Sequence, residues 1–551
     1  MTNVKHQKWW GWGAEGTEFT YDDKPHFANF VQTAIGVDVA TGAFARPDLA
    51  NIDLAEPILP AALAAELASI VGPKNVTSDK EIRIIHGVGR GVVDLIRLRQ
   101  HDIGRIADVV VYPKNEAQVA AIVQAALKAD AVVIPYGGGS NIVGALSAPT
   151  DEPRCVISVD MGRMNRVLEI DSKSGLARIQ AGVLGPDMEE QLNAQGWTMG
   201  HFPDSFIWST LGGWIATRSS GMQSDKYGDI ADMTRGLRMV TPDGILVLRP
   251  LPSTASGPSV REMVLGSEGK LGIITEAWMN VHRLPKVRTI QGYFFGNYND
   301  GLKAMEVIAA SDAAPTITRV MDPHETAFSM ANGKASHGLE HLATQAIQKV
   351  MELKGWDLDG ICLALVGFEG SKRHVAYEKA LVGQIISHYG GLGVGTSPGA
   401  LYDQKKYDVP YIRDFLLDIG VPADVSETAT PWRYMVQMHD ETVRRAEEAL
   451  REAGVQGYVM CHLSHSYHSG ACQYFTFAVN DSSETMLDSY YKVKRAIQQS
   501  FMDNHGTVSH HHGVGAEHLP WLAEDISPVG VGFQQKLFAA VDPGRNLNPA
   551  S

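Results

Sequence analysis

The residues with the most chemistry in this chain lie near its C-terminal end. SHHHGVG places His510, His511 and His512 in a row. Consecutive residues of an extended chain point to alternate sides, so the triplet is a poor chelator as a set. Imidazoles titrate near neutral pH and serve as proton carriers or as donors to a carbonyl or phosphate oxygen; the plain alternative is a polar core cluster satisfied by backbone. Tyr474 lies in GACQYFTFA, where strand alternation puts it on a face with Cys472 and Thr476, opposite Phe475 and Phe477. Spacing alone makes it a half-buried core tyrosine, because a phenol with a pKa near 10 is a poor base unless positive charge lowers that value. Arg319, in ITRVMD, and Arg413, in YIRD, offer planar forks for a phosphate or carboxylate, although Asp414 stands ready to pair with Arg413. His201, in MGHFPDS, is by itself more readily structural than catalytic. HLSHSYHSG adds three further histidines, His462, His465 and His468.

Such side chains need a scaffold that brings them to one ligand, and three glycine-punctuated stretches offer it. Gly196 to Ile230 is rich in Gly, Ser and Thr but interrupted by Trp197, Trp208, Leu211, Trp214 and Ile215; Gly212, Gly213 and Gly221 there permit close backbone approach to a flat ligand. VVIPYGGGSNIVG, Val132 to Gly144, is a β-branched run ending in a turn whose N–H groups can nest an anion. LGSEGKLGIITEA, Leu265 to Ala277, is the third. Taken singly, GGGSN is an ordinary surface turn.

The three stretches in this order resemble the FAD-binding domain of the vanillyl-alcohol oxidase (PCMH-type) flavoprotein superfamily. Within it, the wording GH-PDS--STLGGWIATR-SGM--YG-I is similar to the alkyldihydroxyacetonephosphate synthase family, and the likeness runs from KWWGWG to SHHHGVG. The resemblance implies FAD as cofactor. Pro135, Gly137, Gly138, Gly139, Ser140 and Asn141 would wrap its pyrophosphate; Pro203, Asp204, Ser205, Thr210, Gly213 and Trp214 would hold the isoalloxazine and ribityl; Glu268, Gly272 and Ile274 would hold the adenine side. Relatives that link FAD covalently use a histidine near the glycine turn, and none stands beside Gly138 to Asn141, so the FAD is expected to be non-covalent. Tyr474, His510, His511, His512, Arg413 and His201 match catalytic positions of the family, with Arg319 and Arg413 binding substrate. The implied reaction exchanges the acyl group of acyl-dihydroxyacetone phosphate for a long-chain alcohol through an adduct at flavin N5. The alternative is an FAD-dependent dehydrogenase or oxidase acting on a hydroxy acid or alcohol, the reading that His462, His465 and His468 favour. Phe202 and Ala516 depart from the family pattern.

The expected fold is α+β: a flavin domain of two α/β subdomains, a cap with an antiparallel sheet, and helical N- and C-terminal parts. The domain expectations are a mostly helical lead over residues 1–100, the PCMH-type domain over 101–285, the cap over 286–485, and a C-terminal helical segment over 486–551 whose HHH loop returns to the flavin. Pro57 to Val71, Asn115 to Ala129, Gly185 to Trp197 and Trp432 to Ala453 have helical spacing; ADVVVYP, ICLALVGFEG and ACQYFTFAV read as strands; Ile82 to Gln100 reads as a strand-like start followed by a helix. KWWGWG reads as a packing anchor.

At 551 residues more than one domain is expected. The net charge of −14 argues against nucleic-acid binding. Four scattered cysteines point to a reducing compartment. No run is long and apolar enough for a membrane span, MTNVKHQKWWGWG lacks the apolar core of a secretory signal, and NPAS is not a peroxisomal tripeptide. The expectation is therefore a cytoplasmic homodimer with peripheral membrane contact, acting on a lipid-like or hydroxy-acid small molecule.

Overall fold

The computed structural model describes residues 4–42, 44–333 and 339–549, and three sheets organise them. The first holds β1 (Val76–Thr77), β2 (Val109–Val111), β3 (Val132–Tyr136) and β4 (Val156–Asp160) in the order β1-β2-β4-β3, with β2, β4 and β3 parallel. Their short valine-rich runs are buried on both faces, as parallel strands require. The Ala61–Val71 and Glu116–Lys128 helices cover them, joining Leu63, Leu67 and Ile122 to Val109, Val133 and Ile157. Asn115 starts the second helix by accepting the Gln118 amide at 2.9 Å. Residues from the expected N-terminal lead thus build this layer. So do residues near the other end: Val133 donates to the Asn546 carbonyl at 2.6 Å, and Asn548 donates back to Val133 at 2.9 Å.

The second sheet is antiparallel. It consists of β5 (Val167–Asp171), β6 (Leu176–Gln180), β8 (Thr234–Thr241), β9 (Gly244–Leu248) and β10 (Ile273–Asn280), in the order β5-β6-β10-β8-β9, while β7 (Trp197–Thr198) pairs with β11 (His282–Arg283) as a small ribbon. Leu211, Trp214 and Ile215 of the Leu211–Thr217 helix fill its core.

The third sheet has seven strands: β12 (Val287–Phe295), β13 (Ile317–Met321), β14 (Cys362–Gly370), β15 (Leu392–Gly395), β16 (Ala423–Pro431), β17 (Gln456–Ser466) and β18 (Gly470–Asn480). Every pairing is antiparallel and the order is β15-β12-β14-β13-β17-β18-β16. One face packs Phe475 and Phe477 among residues of the Met435–Ala453 and Met486–Asp503 helices. The pleat turns Tyr474 to the opposite face, toward the first two sheets. Register decides what stands beside it: Tyr474 is paired with Glu427 on β16 and with His462 on β17, so these three share one row of that face. A bulge between Ser464 and Ser466 leaves His465 at φ +51° and swings it out of the row.

Two features at the N-terminal side close the molecule. KWWGWG buries Trp9 and Trp12, and the Trp12 amide donates to Asp414 Oδ2 at 2.6 Å. Farther on, the Phe27–Ile35 helix buries Phe27, Val31 and Ile35 against Ile412, Leu416 and Ala478. Ile82 to Gln100 contains no strand; it folds as two helices, Lys80–Gly87 and Val92–Arg99. The Asp79 carboxylate accepts the Ile82 amide at 3.1 Å, so a local cap and the burial of Ile84 and Ile85 override the β-branched preference.

Candidate active site

Where the three sheets meet they enclose a cavity of about 370 Å³. All of Pro135, Gly137, Gly138, Gly139, Ser140, Asn141, Pro203, Asp204, Ser205, Thr210, Gly213, Trp214, Glu268, Gly272 and Ile274 line it. The turn after β3 supplies the anion end. The amides of residues 137–141 find no acceptor among the described residues, so a run of N–H groups faces the cavity unpaired. The glycines there are obligatory: a β-carbon on Gly138 would stand 1.8 Å from the Trp208 carbonyl, and Gly139 has φ +69°. A diphosphate-bearing ligand would find its hydrogen-bond donors there. Ser209 and Thr210 furnish the next wall, with Trp214 Nε1 donating to Ser209 Oγ at 2.7 Å. Glu268 links both ends of the site, because its Oε1 accepts the amides of Val514 at 2.9 Å and Gly515 at 3.0 Å, just past the histidine triplet. Asn548 was not anticipated; it lines the cavity and donates to the carbonyls of Ala145, at 3.1 Å, and Glu268, at 2.5 Å.

The facing wall is formed by Tyr474 and His462 together with His511 and His512, and Glu427 stands buried behind it in the Tyr474 row. Glu427 holds the triplet. Its buried carboxylate accepts the amides of His510 at 2.6 Å, His511 at 3.1 Å and His512 at 3.0 Å, and the Ser509 hydroxyl at 2.7 Å. Burial favours its neutral form, but His511, His512 and His510 and the Ser509 hydrogen bond outweigh burial and hold it well below the usual carboxylate range. The Tyr474 ring lies between His462, at 4.9 Å and 22°, and His511, at 6.0 Å and 18°. Burial, with Asp204 and Glu427, pushes its phenol well up, so it enters the site as a proton donor.

Glu325 fixes a second group. Its carboxylate accepts from His462 Nδ1 at 2.8 Å and from Arg319 Nη2 at 2.6 Å. Burial opposes the charge, but His462 and Arg319 prevail and lower the carboxyl to about 2. Arg319 lines the cavity over the Tyr402 ring, and its Nε is buried without a partner.

Six residues stand differently from the sequence reading. His201 does not line the cavity: it is fully buried behind Trp214, contacts Ser219 Oγ at 3.2 Å, and burial pushes its ring down to about 3. It shapes the wall as a neutral ring. His510 turns away from the cavity toward Tyr467. Arg413 reaches the cavity with its fork already engaged, Nε and Nη2 on Asp414 at 3.2 and 2.9 Å and Nη1 on the Arg90 carbonyl at 2.6 Å. His462, His465 and His468 do not converge: one faces Glu325, the bulge sends the second toward His510 and His511, and the third is exposed. The residues that sequence reasoning missed, Glu427, Glu325 and Asn548, carry no local signal; only strand register and tertiary contact bring them here.

Unpaired amides for a diphosphate and a flat wall facing titratable side chains define a flavoprotein site. Family models agree: residues 107–248 match an FAD binding domain, and residues 284–551 match the C-terminal domain of FAD linked oxidases. FAD is the cofactor. The chain is 38% identical to an alkyldihydroxyacetonephosphate synthase of Dictyostelium discoideum, over 88% of this chain and 79% of that one. It is 35% identical to the Trypanosoma brucei brucei synthase, over 98% and 91%. A solved alkyldihydroxyacetonephosphate synthase superposes with a TM-score of 0.86 at 34% identity, covering 99% of both chains. A p-cresol methylhydroxylase shares the fold at 14% identity with a TM-score of 0.68, covering 90% of this chain and 98% of that one. The chain belongs to the alkyldihydroxyacetonephosphate synthase family.

Proposed function

We propose that this chain exchanges the acyl group of acyl-dihydroxyacetone phosphate for a long-chain alcohol, releasing a fatty acid. One observation carries the reading beyond family membership: the cavity continues from its polar end into an apolar arm. Val31 and Ile35 of the Phe27–Ile35 helix, Ile412 and Leu416 of the Val409–Asp418 helix, and Met460 and Ala478 of the third sheet line that arm. A hydrocarbon chain buried there contributes about 0.8 kcal/mol per methylene, which suits an alkyl or acyl tail. Arg319 is the cation best placed for the phosphate, since its partners leave Nε unused, whereas Arg413 is bound to Asp414. Tyr474 and His511 handle the protons that leave and return beside the ketone. The chemistry FAD supplies when bound is an electron-poor ring beside the substrate carbon. The oxidoreductase reading loses its sequence motive, because the three histidines that favoured it part company.

FAD is non-covalent in this proposal because no histidine stands beside Gly138 and Gly139, and acid precipitation is expected to leave a colourless pellet and a yellow supernatant; colour retained in the washed pellet would refute this. The reaction is tested by anaerobic mixing of the FAD-loaded protein with acyl-dihydroxyacetone phosphate and a long-chain alcohol. Fatty acid and ether product are expected with no lasting bleaching of the flavin, and lasting bleaching without product sinks the proposal. Leu416→Trp, which plugs the arm, is expected to raise KM for long-chain alcohols roughly tenfold or more while sparing short ones. A lipid substrate also supports peripheral membrane contact. A cytoplasmic homodimer completes the proposal, and light scattering on the FAD-loaded protein tests the assembly.

A further inference from the structure

Behind the histidine loop lies a second, polar pocket of about 270 Å³, lined by Arg218, Asp229, Ala231, Asp232, Tyr467 and His510. Exposed Arg218 and Asp232 set it at the protein surface. A continuous line of hydrogen bonds joins it to the main cavity. Asp229 Oδ2 accepts the Tyr467 hydroxyl at 2.8 Å, that oxygen meets His510 Nε2 at 2.6 Å, and His510 Nδ1 meets His511 Nδ1 at 2.9 Å. His511 itself lines the main cavity, and Nε2 is the ring nitrogen that this line leaves unused. From these contacts, and resting on the reaction proposed above, we infer that Asp229, Tyr467 and His510 form a proton relay carrying the proton His511 takes from substrate out to the second pocket.

The donors and acceptors assign themselves. With the Asp229 carboxylate as acceptor, Tyr467 spends its only hydrogen on it and must accept from His510 Nε2–H. His510 Nδ1 is then a lone pair and accepts His511 Nδ1–H, which leaves a lone pair on His511 Nε2 for the substrate. When Nε2 takes a substrate proton, its N–H bond forms as the substrate bond breaks. The Nδ1 proton passes to His510, the His510 Nε2 proton passes to Tyr467, and the Tyr467 proton passes to Asp229. One proton enters, one reaches the surface pocket, and no electrons change hands. Burial disfavours charge on His510, and burial with Asp229 pushes the Tyr467 phenol well up, so both give and take in one motion and do not dwell as ions. The relay answers a need of the site: a bound tail fills the apolar arm and excludes water, so the proton cannot follow the path of the substrate.

Tyr467→Phe removes the relay oxygen while sparing the main-chain contacts of residue 467, its amide to the Gly470 carbonyl at 2.8 Å and its carbonyl to Trp432 Nε1 at 3.0 Å. The full-length, FAD-loaded variant, with Asp229→Asn beside it, is compared with wild type in turnover of acyl-dihydroxyacetone phosphate and in release of carbon-bound tritium from that substrate to water. Losses of about ten- to a thousandfold in both, at unchanged KM and FAD content and partly restored by added imidazole, are expected. Near wild-type turnover and tritium release in Tyr467→Phe overturns the relay. Nitrogen NMR of histidine-labelled protein decides the wiring without any substrate: His510 protonated on Nε2 and His511 on Nδ1 supports it, and the opposite tautomers overturn it. A wild type that releases no fatty acid refutes the proposed reaction instead, and the tautomers still judge the relay.

Discussion

Tyr474→Phe is expected to bind FAD normally and to lose roughly 10²–10⁴-fold in turnover. The ring is held from both sides by His462 and His511, and phenylalanine keeps that stacking, so the substitution subtracts a hydroxyl and little else. The hydroxyl belongs to a phenol whose pKa burial drives upward, which makes it a donor to an oxygen or carbanion and not a resting base. Its contribution therefore appears in the chemical step, with kcat and kcat/KM falling together and KM little changed. The measurement is steady-state turnover at matched FAD content, together with a thermal melt. Unchanged turnover would return Tyr474 to the role its spacing alone suggested, that of a core tyrosine.

Glu427→Gln is expected to damage both stability and activity. The carboxylate receives three main-chain amides and a hydroxyl, all donors, and an amide NH₂ in place of one oxygen turns part of that set into donor-against-donor contacts. Removing one partner from a buried charged network costs about 3–5 kcal/mol, enough to lower the melting temperature by several degrees in a chain of this size. The loop that carries His511 and His512 then loses its anchor, and turnover falls with it. pH supplies a second reading. The Glu427 pKa is depressed in the folded state, so its stabilisation is complete above the unfolded value near 4.3 and is lost progressively as pH falls below it. The gap between the melting temperatures of wild type and Glu427→Gln is expected to narrow between pH 5 and pH 3. A constant gap across that range would mean that the carboxylate charge is not what holds the loop.

The legibility of this site follows the range of the interactions that build it. The glycine turn at 137–139 is local: close approach to Trp208 and a positive φ demand small residues in a short run, and the run is visible. Alternation alone places Tyr474 on its face of the strand. Glu427, by contrast, sits in VSETATP and looks like any polar strand residue; what makes it an anchor is a register shared with Tyr474 and a loop more than eighty positions away. The arginines show the same limit. Asp414 beside Arg413 is legible and does pair with it, but Glu325 reaches Arg319 only because a helix cap folds the chain back between them. His201 illustrates the opposite error, since a motif histidine can serve by being buried. The Phe27–Ile35 helix reads as part of a lead in the sequence because its partners, Ile412 and Leu416, lie almost four hundred residues later.

The pairing of Asn546 and Asn548 with Val133 has a consequence for how the molecule comes into being. The strand that carries the diphosphate turn is synthesised early, yet its outer edge is satisfied by residues more than four hundred positions downstream, and Asn548 also ties down Glu268. Contacts of such separation form late, after the intervening chain has collapsed. A ribosome-bound fragment with the complete glycine turn still lacks the Asn548 clasp, and its exposed strand edge is a site for mispairing with other chains. The sheet that presents the glycine turn is whole only once residues 546–548 have docked on it, so the flavin end of the cavity depends on a clasp from the far side of the sequence.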